Sequence, residues 1–155
     1  MTYGTLTDQP NSKIPTVSDN LLSQGKISSE VVGISFNPTT SLSGGNGELT
    51  FGGVDPNKYT GSITYTPITS VSPAKYYWGI DQSITYGSSG ATILGKTAGI
   101  VDTGTTLMLI ASDAFKRYQN LAVATMDGTT GLVRLTTAQY AKLQSLLFTI
   151  GGTKL

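Results

Sequence analysis

Between Ala98 and Ile110 the chain is apolar, then polar, then apolar again, with one carboxylate at the turning point. Ala98-Gly99-Ile100-Val101 leads into Asp102-Thr103-Gly104-Thr105-Thr106, and Leu107-Met108-Leu109-Ile110 follows. A carboxylate flanked by that much apolar sequence is costly to hold unless its oxygens are hydrogen-bonded. Backbone N–H groups near Gly104 and the hydroxyl of Thr105 are the donors within reach. Gly104 lets the backbone turn and come close to the carboxylate. The segment therefore predicts a tight bend between two apolar strands. The plain alternative is an ordinary β-turn with Asp at its start and Gly near its end. Asp-Thr-Gly by itself does not separate the two, but the apolar flanks and the Thr-Thr continuation favour the first.

Composition agrees with a β-rich molecule. The 155 residues are enough for one domain with a core, and they are 38% hydrophobic but only 12% charged, with 19 Gly and 8 Tyr. Disordered chains need high charge or few apolar residues, and this chain has neither. There is no Cys and no His. Their absence excludes disulfides, zinc-thiolate sites, Cys nucleophiles, Ser-His-Asp catalysis and His-ligated metals. Any chemistry must use carboxylates, Lys, Tyr or hydroxyls, and no metal or cofactor is expected. A net charge of +1 without runs of like charge gives no footprint for nucleic acid or an anionic membrane. The start, Met1-Thr2-Tyr3-Gly4, lacks a signal-peptide pattern, and no window reaches membrane-spanning length.

Along the chain, residues 1–16 read as turn-rich, punctuated by Pro10 and Pro15. Val17 to Gly25 reads as a short helix capped by Ser18, with Leu21 and Leu22 as its apolar face and Gly25 at its C-terminal end. Val31 to Phe36, Glu48 to Phe51, Ser62 to Ile68 and Tyr77 to Tyr86 read as strands. Ala91 to Leu94 reads as a short strand and Ala98 to Val101 as another. Ser112 or Asp113 can cap a helix carrying Ala114, Phe115, Tyr118 and Leu121 at helical spacing. Thr136-x-x-Gln139 has the form of a capping box, opening a helix with Leu143, Leu146 and Leu147 inward. Asp127-Gly128 is a turn signal, and Leu147 to Ile150 is a strand meeting a Gly151-Gly152 hairpin turn. Thr153-Lys154-Leu155 would begin the returning strand, so the chain reads as cut inside a fold.

Ile100-Val101-Asp102-Thr103-Gly104-Thr105-Thr106-Leu107 resembles the second-lobe active-site motif of pepsin-like aspartic proteases. Other segments resemble the family in order: Gly47 to Asp55, Tyr59 to Ile63, Tyr65 to Ile68, Tyr77 to Ile80 and Phe148 to Gly152. Within that family the chain resembles the Cys-free, polyporopepsin-like enzymes of fungi. The resemblance implies a mainly β fold, a partial pepsin-like double-psi β-barrel lobe with two or three short helices. Residues 1–36 would be the tail of an N-terminal lobe, and 37–155 an incomplete C-terminal lobe. It further implies Asp102 as one of two catalytic aspartates. Thr103 would tie the two active-site loops together, and Thr105 would bond the catalytic carboxylate. Gly104 and Thr106 would hold substrate backbone, and Ile100 would line a pocket. The implied substrate is a peptide or protein, and the implied location is secreted or vacuolar.

Only one Asp-Thr-Gly is present. Asp55 and Asp127 read as turns, Asp113 as a helix start, Asp8 and Asp19 as first-lobe tail, and Asp81 as a strand residue without a neighbouring glycine. The partner carboxylate would come from a missing N-terminal lobe or a second chain, and the isolated chain should be inactive. A non-proteolytic binding protein built on the same lobe, lectin- or allergen-like, is the second reading.

Overall fold

The computed structural model describes residues 14–41 and 43–155, so the turn-rich reading of residues 1–13, with Asp8, lies outside the described residues. The described chain forms two compact units, one ending at Ile63 and the other spanning Thr64–Leu155.

The first unit opens with helix α1, Val17–Ser23. Its N-cap is Thr16, not Ser18. The Asp19 carboxylate accepts from the Thr16 N–H at 2.6 Å, and the Asp19 N–H donates to the Thr16 hydroxyl at 3.3 Å. This reciprocal pair satisfies two otherwise orphan donors, which Ser18, already inside the first turn, has no means to do. The helix stops where Gly25 N–H donates to Leu22 O and Lys26 N–H to Leu21 O, both at 2.9 Å, the Schellman arrangement. None of its residues is fully buried: of the expected apolar face, Leu21 is half-buried and Leu22 exposed. Strands β1, Val32–Phe36, and β2, Gly47–Phe51, form an antiparallel hairpin in which Ile34 lies opposite Leu49. The hairpin straddles residues 36 and 37.

The second unit is a four-stranded sheet with a helix against it. Its strands are β3, Gly79–Tyr86; β4, Ala91–Ile100; β7, Leu146–Ile150; and β8, Thr153–Lys154, in the order β4-β3-β7-β8. A two-residue pair, β5 (Thr125–Met126) and β6 (Val133–Arg134), stands apart and is joined through the Asp127 turn. Helix α2, Ser112–Ala122, and a single helical turn α3, Thr137–Tyr140, complete the unit. Gly151 and Gly152 join β7 to β8 with φ of 57° and 81°. Two successive positive φ values are what a type I′ hairpin turn requires, and glycine adopts them without steric cost.

The core is small. Ile84 and Tyr86 of β3, Ile93 of β4 and Ala114 of α2 are buried together, with Leu94, Ile110, Tyr118, Leu146 and Phe148 packed against them. Tyr86 and Tyr118 meet edge-to-face with ring centroids 5.6 Å apart. Arg117 donates to the Ile93 carbonyl at 2.8 Å and pairs with Asp113 at 2.7 Å, tying α2 to β4.

Several expectations need correcting. Residues 91–94 and 98–101 do not form separate strands: β4 is continuous through Gly95-Lys96-Thr97, because register shifts opposite Gln82 to Thr85 absorb the extra residues. Ser62 to Ile68 forms no ladder, so its alternating pattern has no partner strand to make it a strand. Leu107 to Ile110 is likewise irregular. Tyr77 and Trp78 lie outside β3, which begins at Gly79 after a 3₁₀ turn at Ala74–Tyr76. The α2 N-cap is Ala111, with no side-chain cap bond, and Leu121 is exposed. The Thr136/Gln139 capping box is present, but it opens only one turn, and Leu146 and Leu147 belong to β7.

Candidate active site

Asp102 lies just past the end of β4. Ile100, its last residue, is opposite Gly79, and the Val101 N–H still donates to the Trp78 carbonyl at 2.9 Å. The packed β3–β4 pair therefore fixes the backbone up to the residue before the carboxylate. The chain then leaves the ladder and bends. Asp102 Oδ1 accepts from the Gly104 N–H at 2.9 Å, and Oδ2 accepts from the Thr105 hydroxyl at 2.7 Å. One bond to each oxygen sets the plane of the carboxyl group and favours its ionised form. The Thr105 hydroxyl, and after it the Gly104 N–H, hold the Asp102 carboxyl below the usual aspartate range; desolvation works weakly the other way.

A Cβ on Gly104 would sit 3.4 Å from Asp102 Oδ1, an ordinary contact distance, and its φ is not in the left-handed region; what Gly104 supplies to the bend is its N–H. Thr103, Gly104, Thr105 and Thr106 are all exposed, as is Asp102. The side chains of Thr103 and Thr106 make no hydrogen bond to a described residue. Ile100 is 46% exposed at the end of β4. The structure thus brings Asp102, Gly104 and Thr105 into contact. It leaves Thr103, Thr106 and Ile100 on the open surface of the same bend and strand end.

The other described aspartates are committed locally. Asp127 accepts from the N–H groups of Thr129 and Thr130 at 2.9 and 3.1 Å, and Asp55 from the Asn57 N–H at 2.9 Å. Asp19 belongs to the α1 cap, and Asp113 to the first turn of α2. Asp81 is a contact the sequence reading overlooked: its Oδ1 accepts from the Thr69 hydroxyl at 2.7 Å. An acid in the middle of a strand was the available signal, but its partner is twelve residues away in a segment of no regular structure. Among the described residues, no group of His, Cys, Asp or Glu could hold a metal ion, and no helix is long and apolar enough to cross a membrane.

The strand end and bend at Asp102 are the stretch whose sequence resembles the active-site motif of pepsin-like aspartic proteases. Comparison with protein families agrees: the model for eukaryotic aspartyl proteases matches residues 3–155, and the chain belongs to that family. It is 65% identical to polyporopepsin of Irpex lacteus over 98% of its own length and 44% of the relative's. Rhizopuspepsin-1 of Rhizopus niveus is 35% identical over 97% of this chain and 36% of that protein. The crystal structure of the aspartic proteinase from Irpex lacteus superposes with a TM-score of 0.90, covering 98% of this chain and 44% of the other. The fold is therefore a partial pepsin-like fold, mainly β with three short helices among the described residues. The chain spans less than half the length of these relatives.

Proposed function

We propose that this chain supplies one of the two catalytic aspartates of an aspartic endopeptidase, and that Asp102 is that residue. The observation that carries the reading is the fixed carboxylate: each Asp102 oxygen takes one hydrogen bond, yet the group stays exposed on the bend. Asp113 and Asp127 are also held by local partners without being buried, so what singles out Asp102 is that its fixed, exposed carboxylate sits in the Asp-Thr-Gly bend at the end of the β3–β4 pair.

The second carboxylate comes from polypeptide outside this sequence, which contains no other Asp-Thr-Gly. Two carboxyl groups brought within a few ångströms cannot both ionise cheaply, so one keeps its proton; pepsin-like enzymes are the standard instance of this effect. The ionised member takes a proton from a water whose oxygen attacks the peptide carbonyl carbon. The protonated member gives its proton to the carbonyl oxygen. The resulting gem-diol collapses with proton transfer to the amide nitrogen, and the C–N bond breaks. Thr103, exposed and without a hydrogen-bond partner among the described residues, is suited to tie this bend to the loop bearing the other aspartate. Gly104 and Thr106 would hold substrate backbone and Ile100 would line a side-chain pocket. The border between lobes would follow the β1–β2 hairpin, which forms as one element, and so fall nearer Ile63 than residue 36. The substrate is a peptide or protein, and the location is secreted or vacuolar.

The test is complementation. The chain is combined with a polypeptide carrying the other Asp-Thr-Gly lobe and assayed for peptide hydrolysis in acid. Pepstatin-sensitive cleavage that disappears with Asp102→Asn is expected. Cleavage that survives the substitution overturns the reading.

A further inference from the structure

Thr69 is a buried polar residue, at 5% exposure. Its N–H and its hydroxyl are both used at one place. Its N–H donates to the Gly79 carbonyl at 3.0 Å, its hydroxyl donates to Asp81 Oδ1 at 2.7 Å, and the same hydroxyl accepts from the Val71 N–H at 3.2 Å. Thr69 therefore closes the base of the loop 70–78 onto the first residues of β3. Inside the loop, Lys75 N–H donates to Val71 O at 2.8 Å, and Tyr77 N–H to Ala74 O at 3.0 Å. Gly79 seals the closure: a Cβ there would collide with the Ala74 carbonyl and press on the Thr69 methyl. The exit of this closed loop is Trp78, whose carbonyl accepts from the Val101 N–H at 2.9 Å. That is the last ladder-type bond before Asp102.

We propose that Thr69 and Asp81 are positioning residues for Asp102. They clamp the 70–78 loop, the clamped loop fixes the Trp78 carbonyl, and that carbonyl fixes Val101 and hence the point from which the Asp102 bend departs. Neither residue touches the carboxylate. They act through backbone, and burial of the Thr69 hydroxyl makes the clamp rigid, because breaking its bond to Asp81 would strand a buried polar group. The clamp rests on geometry within Thr64–Leu155. Only its consequence for catalysis rests on the protease reading.

The test is residue-resolved amide hydrogen exchange on the 155-residue chain, in the wild type and in Thr69→Val, Asp81→Ala, Thr69→Ser and Asp81→Asn. Thr69→Val and Asp81→Ala should speed exchange at Val101 at least tenfold while amides of α2 exchange as in the wild type. Thr69→Ser and Asp81→Asn keep a donor and an acceptor and should retain wild-type protection. Unchanged exchange at Val101, or an equal rise at Val101 and throughout α2, overturns the proposal. Should Thr69→Val not fold, Asp81→Ala, at an exposed position, carries the same test. In the complemented enzyme Asp81→Ala should lower kcat with KM within twofold, and Asp81→Asn should restore kcat; a kcat equal to wild type in Asp81→Ala overturns the proposal. A wild-type complement without activity, alongside the local exchange effect, would count against the protease reading and leave the clamp standing.

Discussion

Ile84 lies on the central strand β3 at 1% exposure, opposite Leu94 on one side and Phe148 on the other. It shares the core with Tyr86, Ile93 and Ala114. Ile84→Ala removes three carbons, a transfer loss of about 2.4 kcal/mol at roughly 0.8 per carbon. The surrounding sheet and helix collapse only partly into the space, so the cavity brings the total to about 3–4 kcal/mol. With a urea m-value of about 2 kcal/mol per molar for a chain of this size, the unfolding midpoint should fall by about 1.5–2 M. The assay is urea unfolding followed by far-ultraviolet circular dichroism. Leu109→Ala is the control: Leu109 is 82% exposed, and its truncation should cost less than about 0.5 kcal/mol. The reasoning is refuted if the two variants unfold together, because the β3–β4 pair that carries the strand into Asp102 would then owe nothing to this core.

Three further outcomes follow from the local geometry. Asp127 is held below the usual aspartate range by the N–H groups of Thr129 and Thr130, so its contribution to stability is full above the ordinary value of 3.8 and lost as pH falls through its lower folded value. Wild-type stability should therefore drop more steeply as pH falls below the ordinary aspartate value of 3.8 than that of Asp127→Asn, as read from urea midpoints against pH. Thr16→Ala removes one half of the α1 capping box and should cost about 1 kcal/mol, with Thr16→Ser nearly neutral, in the same unfolding assay. Gly104→Ala should cost less than about 1 kcal/mol in the same unfolding assay, since its Cβ would meet Asp102 Oδ1 only at an ordinary contact distance of 3.4 Å and its φ is not left-handed.

What could be read from sequence was what local chemistry decides. The bend at Asp102 was legible because acceptor and donors lie within three residues of one another, and the Gly151-Gly152 hairpin because its turn needs positive φ. The Thr136/Gln139 box was legible for the same reason. The extent of α3 was not: Leu146 and Leu147 keep a helical spacing from Leu143, but pairing with β3 makes them a strand. Ser62 to Ile68 alternates as a strand should, and only the absence of a partner among the described residues keeps it from being one. Gly95-Lys96-Thr97 looked like a break in β4 because bulges leave no mark in composition. The Thr69–Asp81 bond joins residues twelve apart across an irregular loop, and no period or motif points to it.

The claim beneath the whole account is that Thr105 and Gly104 hold the ionised carboxyl of Asp102. Its most direct test is a carbon-13 titration of the Asp102 carboxyl in this chain. The midpoint should lie below the ordinary aspartate value of 3.8, rise in Thr105→Val and stay low in Thr105→Ser. An ordinary midpoint that Thr105→Val leaves unmoved would contradict it.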